Sequence, residues 1–199
     1  MFCIKYYGVI YLIKIYIDQG HNPEGVNAGA EGNGMREQDI NYEVGIYLAE
    51  LLRDNGNFSV RLSRPTAQTS LGTTNSTSLQ ARVNDANTWN ADYFISIHTN
   101  AAENPAANGT EVYVYSQSSP AYRLAQDIQD SIVDTLGTKD LGVKINTSLY
   151  VLRKTSMPAL LIELAFITNS EDAELLRNDR YLFAYAIYRG ILDYFNLPA

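Results

Sequence analysis

Three observations predict an α/β fold, a single domain with a mainly parallel twisted sheet flanked by helices on both faces. Strand-like apolar runs alternate with amphipathic helical stretches along most of the chain. Several of those runs are nearly continuous in apolar residues, as strands covered on both faces must be. The chain also has 199 residues and no repeat, low-complexity tract or linker-like break, a size suited to one substantial core.

The first strand is carried by "KIYIDQGHN", residues 14–22, in which Ile15 and Ile17 alternate with Tyr16 and Asp18 before the pattern stops at Gly20 and His21. Residues 1–13 are assigned to an N-terminal extension, with an extra edge strand or an upstream extension favoured over an atypical export or membrane signal. That segment is apolar around Lys5, but it lacks a small-residue cleavage site and falls short of the roughly 20 apolar residues that span a bilayer. Residues 14–199 form the predicted domain.

Asn22 to Gly34 is rich in Gly and Asn and reads as a loop. "REQDINYEVGIYLAELLRDNG" reads as a helix, with Ile40, Val44, Leu48, Leu51 and Leu52 on one face and Asn55-Gly56 as its stop. "FSVRLSR" is a short strand, and a Ser/Thr-rich loop runs from Arg64 to Thr77. "SLQARVNDANTW" is a second helix, with Leu79, Val83 and Ala86 turned inward. The strand "YFISIH" follows, and then the strand "TEVYVYS". "PAYRLAQDIQDSIVDTLG" is an amphipathic helix with Pro120 near its start and Gly137 at its end. "SLYVLRK" and "PALLIEL" read as two more strands, and Ser170 to Asn196 as two helices.

Composition narrows the function. A formal net charge of −7 with no basic patch excludes non-specific nucleic-acid binding. The single cysteine, Cys3, excludes an internal disulfide framework and a cysteine-rich metal site.

Three ionisable residues, His21, His98 and Glu163, sit at the C-terminal ends of predicted strands, the edge where open α/β sheets bind ligands. Two imidazoles and one carboxylate are a standard ligand set for catalytic zinc, with the fourth position left to water. Glu37, at the start of the first helix, is the favoured acid; Glu24, Glu31 and Asp39 are its competitors. Glu163 lies within the apolar run "PALLIELAF", where an unpaired carboxylate costs several kcal/mol. Such a group binds a metal, works as an acid/base with a raised pKa, or takes a cation such as Arg153 or Lys154 as partner.

The motifs "IYIDQGH", "REQDIN", "SIHTN" and "LLIELAFITN", in this order, resemble the zinc-dependent N-acetylmuramoyl-L-alanine amidases of the Amidase_3 type, from about Lys14 to the C-terminus. The resemblance implies one Zn2+ ion held by His21, Glu37 and His98, with Glu163 as the catalytic glutamate. It also implies hydrolysis of the amide between the muramic acid lactyl group and the L-alanine of peptidoglycan. Gln19 and Asn22 depart from the Pro and Gly that flank the first histidine in D-P-G-H-G, which bears on substrate fit more than on metal binding.

Asn100 is a candidate substrate contact or a cap for the turn that leaves its strand. Arg64 is a contact to an acidic stem peptide or a solvated loop cation. The fifteen tyrosines are assigned mainly to packing rather than to sugar stacking. A zinc peptidase acting on the stem peptides and a non-catalytic wall-binding module are the rival functions. The expected partner is peptidoglycan, bound at the bacterial cell wall by a monomer, with a separate wall-targeting chain as a further possible partner. The sequence presents no clear signal peptide.

Overall fold

A computed structural model describes residues 5, 6 and 9–198. Its central sheet has six strands: β1 (Ile13–Gln19), β2 (Phe58–Leu62), β3 (Tyr93–Asn100), β4 (Thr110–Val114), β5 (Asp140–Ile145) and β6 (Ala159–Phe166). The helices are α1 (Glu37–Asn55), α2 (Asn75–Trp89), α3 (Pro120–Leu136), α4 (Tyr150–Lys154), α5 (Ser170–Asn178) and α6 (Arg180–Phe195).

The strand order is β2-β1-β3-β6-β4-β5. β1 pairs in parallel with β2 and β3, and β3 pairs in parallel with β6. β4 runs antiparallel to β6 and carries β5 parallel to itself. The sheet is therefore mainly parallel, with an inverted pair at one side.

Side-chain alternation divides the core into two layers. Ile15, Ile17, Ile95, Ile97, Leu160 and Ile162 face α1, α3 and α6. Tyr16, Phe94 and Leu161 face α2 and α4 on the other side. Because both faces are covered, β1, β3 and β6 carry apolar residues on both of their sides. Burying each such side chain contributes about 1.5–3 kcal/mol.

The helices start and stop where local chemistry directs. Thr74 and Thr77 form a reciprocal capping box at α2, Ser119 caps α3 ahead of Pro120, and Asn169 caps α5. Left-handed Gly56 and Gly137 end α1 and α3.

One stretch differs from the sequence reading. "SLYVLRK" is not a strand: Tyr150–Lys154 forms one helical turn that lays Val151 and Leu152 on the second core layer. Leu149 and Val151 imitate a strand's alternation over a segment too short to separate the two periods. The strand is instead β5, "DLGVKI", a half-exposed edge interrupted by Gly142 at φ 76° and therefore without a clear apolar pattern. The expected edge strand over residues 1–13 lies partly outside the described residues. The pairing described there, Lys5–Tyr6 with Val9–Ile10, is a separate ladder from the central sheet. Among the described residues no helix is long and apolar enough to cross a membrane.

Candidate metal centre

The chain leaves β1 through α1 to β2 on one side, then returns through α2 to β3 on the other. α1 covers one face of the sheet and α2 the opposite face. The C-terminal ends of β1 and β3 therefore flank a topological switch point, where open α/β sheets form a crevice. His21 follows β1 there, and His98 ends β3.

His21 Nε2 lies 3.0 Å from Glu37 Oε1, His98 Nδ1 lies 2.9 Å from the same oxygen, and the two ring nitrogens are 3.1 Å apart. Two ligands on a tetrahedral zinc with bonds near 2.05 Å are separated by about 3.3 Å. The three atoms thus already form the triangular face that such an ion requires, and together they make a group able to hold a metal. The donor set, two imidazoles and a carboxylate, also matches zinc's preference for N and O ligands.

Each of the three side chains is held from behind. His21 Nδ1 contacts the Asn27 carbonyl at 3.2 Å, which fixes the tautomer that leaves Nε2 free to bind. Glu37 Oε2 accepts from the Ala30 N–H at 2.9 Å, while Oε1 accepts from Thr99 N–H and Asn41 Nδ2. The His98 ring lies against Gly20, where an added Cβ would stand 2.4 Å from His98 Cε1. This contact explains why β1 ends in Gly-His: the glycine leaves room for the partner strand's imidazole.

The backbone of His21 has φ 68°, in the left-handed region that residues other than glycine seldom occupy. Such a conformation costs on the order of 1 kcal/mol or more and persists where the surroundings over-determine it.

Glu37 outcompetes the other acids by position. Glu24 and Glu31 are exposed, and Asp39 is committed to a bidentate pair with Arg36 at 2.8 Å. Burial alone would raise the Glu37 carboxyl, but the contacts with both imidazoles outweigh burial and hold it ionised well below the ordinary carboxylate range.

Glu163 is in register with His98 on β3 and with Glu111 on β4. Its Oε2 is buried without a hydrogen-bond partner. Burial first, and then the charges of Glu37 and Glu111, push its carboxyl well above the ordinary range. Arg153 and Lys154 are both exposed, and among the described residues no ion pair reaches Glu163. A buried carboxyl without a partner, in register with His98, suits proton transfer better than structural pairing.

Asn100 is tied within the protein. Its Nδ2 donates to Glu111 Oε1 at 2.8 Å, and its Oδ1 accepts from the Ala101 N–H. Arg64 fits neither role read from the sequence. It is 1% exposed, donates to the carbonyls of Gln38 and Ala67, and stacks over Tyr42 at 5.2 Å. It therefore stitches the loop after β2 to α1.

Glu111 was missed. It accepts from Asn100, from the Tyr113 hydroxyl at 2.6 Å and from Lys144 on β5. The signal was present, since Glu111 is a lone acid within an apolar strand, the same pattern that singled out Glu163.

The matched family model is Amidase_3, described as N-acetylmuramoyl-L-alanine amidase, over residues 15–193. The N-acetylmuramoyl-L-alanine amidase LytC of Bacillus subtilis strain 168 is 38% identical over 187 residues, which cover 91% of this chain and 35% of LytC. The amidase CwlM of Bacillus licheniformis is 36% identical over 190 residues, 94% of this chain and 70% of CwlM. The crystal structure of an N-acetylmuramoyl-L-alanine amidase from Clostridium difficile 630 superposes with a TM-score of 0.83 at 30% identity, covering 94% of this chain and 99% of that one. Matched by the family model from residue 15 to residue 193, this chain belongs to the Amidase_3 family of N-acetylmuramoyl-L-alanine amidases.

Proposed function

We propose that this protein hydrolyses the amide between the lactyl group of N-acetylmuramic acid and the L-alanine of peptidoglycan, with one zinc ion held by His21, Glu37 and His98. The supporting observation is the triangle of ligand atoms about 3 Å apart, with Glu163 in register beside it. A bound zinc would polarise the amide carbonyl and acidify water to a pKa near 7.

Glu163 takes the proton as water attacks the carbonyl carbon. It returns that proton to the leaving nitrogen when the C–N bond breaks, releasing a lactyl carboxylate and a free L-alanine amine. The raised affinity of its carboxyl for protons serves the second step. Glu163 must be ionised for the first, which a cation held by His21, Glu37 and His98 would favour by offsetting the charge of Glu37. Asn100 holds Glu111, the register neighbour of Glu163 on β4, through its Nδ2. The protein works as a monomer at the bacterial cell wall.

Mass spectrometry of digested sacculi tests this reading, with and without a chelator. New free L-alanine amino termini that vanish with chelator are expected. Shortened peptides still joined to muramic acid would mean a peptidase, and intact sacculi despite bound metal would mean a binding module.

A further inference from the structure

Arg82 occupies an inward position on α2 beside Val83 and Ala86, and its side chain is 1% exposed. A guanidinium so placed must meet acceptors, and here all but Ser63 belong to the segment that delivers His21. Nη1 donates to Asp18 Oδ1 at 2.5 Å and to the Gln19 carbonyl at 2.7 Å, with Ser63 Oγ at 3.3 Å. Nη2 donates to the His21 carbonyl at 2.6 Å and to Asn22 Oδ1 at 3.3 Å.

We propose that Arg82 is a positioning residue for the metal centre, clamping the turn from Asp18 to Asn22 so that the His21 imidazole faces Glu37 and His98. The inference rests on the reading of His21 as a ligand. The two carbonyls it grips flank Gly20, the residue against which His98 packs. The grip also holds the carbonyl of His21 itself, whose φ of 68° needs a constraint from outside the turn.

Asn22 extends the clamp. Its Nδ2 donates to the carbonyls of Val26 and Leu71, and its Oδ1 also accepts from the Leu71 N–H. The asparagine that departs from the D-P-G-H-G pattern is therefore an anchor in this chain. Asp18 carries the constraint across the sheet, because its Oδ2 accepts from Ser96 Oγ at 2.8 Å, two residues before His98. One buried network thus joins the strand ends that bear both imidazoles. The planar fork matters, since two nitrogens each serve a different carbonyl while Nη1 also holds a carboxylate. An ammonium cannot reproduce that geometry.

Arg82→Lys tests the assignment in the full chain. The metal-free protein is titrated with Co2+, followed by its visible absorption, and with Zn2+ in competition with a chromophoric chelator. The expected variant melts cooperatively, binds Zn2+ roughly 10- to 100-fold more weakly and shows an altered Co2+ band. An affinity and band equal to those of the wild type, whatever the change in Tm, would overturn the inference. If Arg82→Lys does not fold, Asn22→Ala keeps the Asp18 pair and is expected to weaken Zn2+ binding on the order of tenfold. Unchanged affinity in that variant overturns the inference equally. Failure of the wild type to bind either metal is a different result: it removes the reading of the metal centre, and this inference with it.

Discussion

Glu163 and His98 are directly opposed on adjacent parallel strands, the acid on β6 and the imidazole on β3. Opposed residues in a ladder point to the same side of the sheet, so the register alone sets the acid beside the metal triangle. Neither loop motion nor a hinge is needed to assemble the pair. The two side chains differ in their partners, with His98 Nδ1 facing Glu37 Oε1 and Glu163 left without a partner at Oε2.

Glu163→Gln should therefore retain zinc while activity on sacculi falls about 100- to 10,000-fold, the usual cost of losing a general base. Metal content by atomic absorption and muropeptide release are measured on the same sample. A variant that arrives without metal would make Glu163 a ligand and dissolve the division of labour.

His98→Ala removes one corner of the triangle and should abolish both metal and activity. The same loss appears in stability. Wild-type protein with zinc at 100 times its dissociation constant gains about 2.7 kcal/mol over the metal-free form. Chelator should lower the wild-type Tm by several degrees and leave His98→Ala unmoved. Equal chelator effects on the two proteins would mean that the ion binds elsewhere.

The sequence disclosed those parts of the site whose chemistry conflicts with local burial. His21, His98 and Glu163 are polar residues ending or interrupting apolar runs, and such residues call for a partner or a purpose. Glu37 was separable from Glu24, Glu31 and Asp39 only by its place at the helix start. Arg82 and Glu111 carry the same kind of conflict, but the counter-charges that resolve it, Asp18 and Lys144, lie 64 and 33 positions away in sequence. Long-range pairing has no local signature. β5 was lost for another reason: an edge strand faces solvent, so its composition resembles a loop, whereas the short α4 mimics strand alternation.

Asp18 gives a prediction with a pH sign. Burial alone would raise its carboxyl, but the charge and hydrogen bond of Arg82, with help from Ser96, hold it below its ordinary value of 3.8. The native state therefore binds this proton less readily than the unfolded chain. The pair's contribution is full above about pH 4 and is lost as pH falls through the lower native value. Asp18→Asn leaves a buried guanidinium without its counter-charge, a loss of about 3 kcal/mol. In urea titrations with chelator present, the wild type should lead the variant by that margin at pH 7, and the gap should narrow as pH falls below about 4. A gap constant with pH would deny the ion pair its role.

Gly20→Ala tests the closeness of the two histidine-bearing strands. The new methyl would stand 2.4 Å from His98 Cε1, and an ordinary contact begins near 3.4 Å, so the ring must retreat by about 1 Å. Backbone strain is not the issue, because Gly20 is absent from the residues with positive φ. The retreat is opposed by the ring's place beside Glu37 and His21, so the displacement falls on the metal geometry rather than on the core. A misplacement of this size can cost about 100-fold in rate. The variant should fold cooperatively, take up zinc with reduced affinity and clear cell-wall suspensions on the order of 100-fold more slowly. Wild-type affinity and clearing rate in Gly20→Ala would mean that His98 has a second rotamer equally able to complete the triangle, and that the glycine is dispensable to the centre.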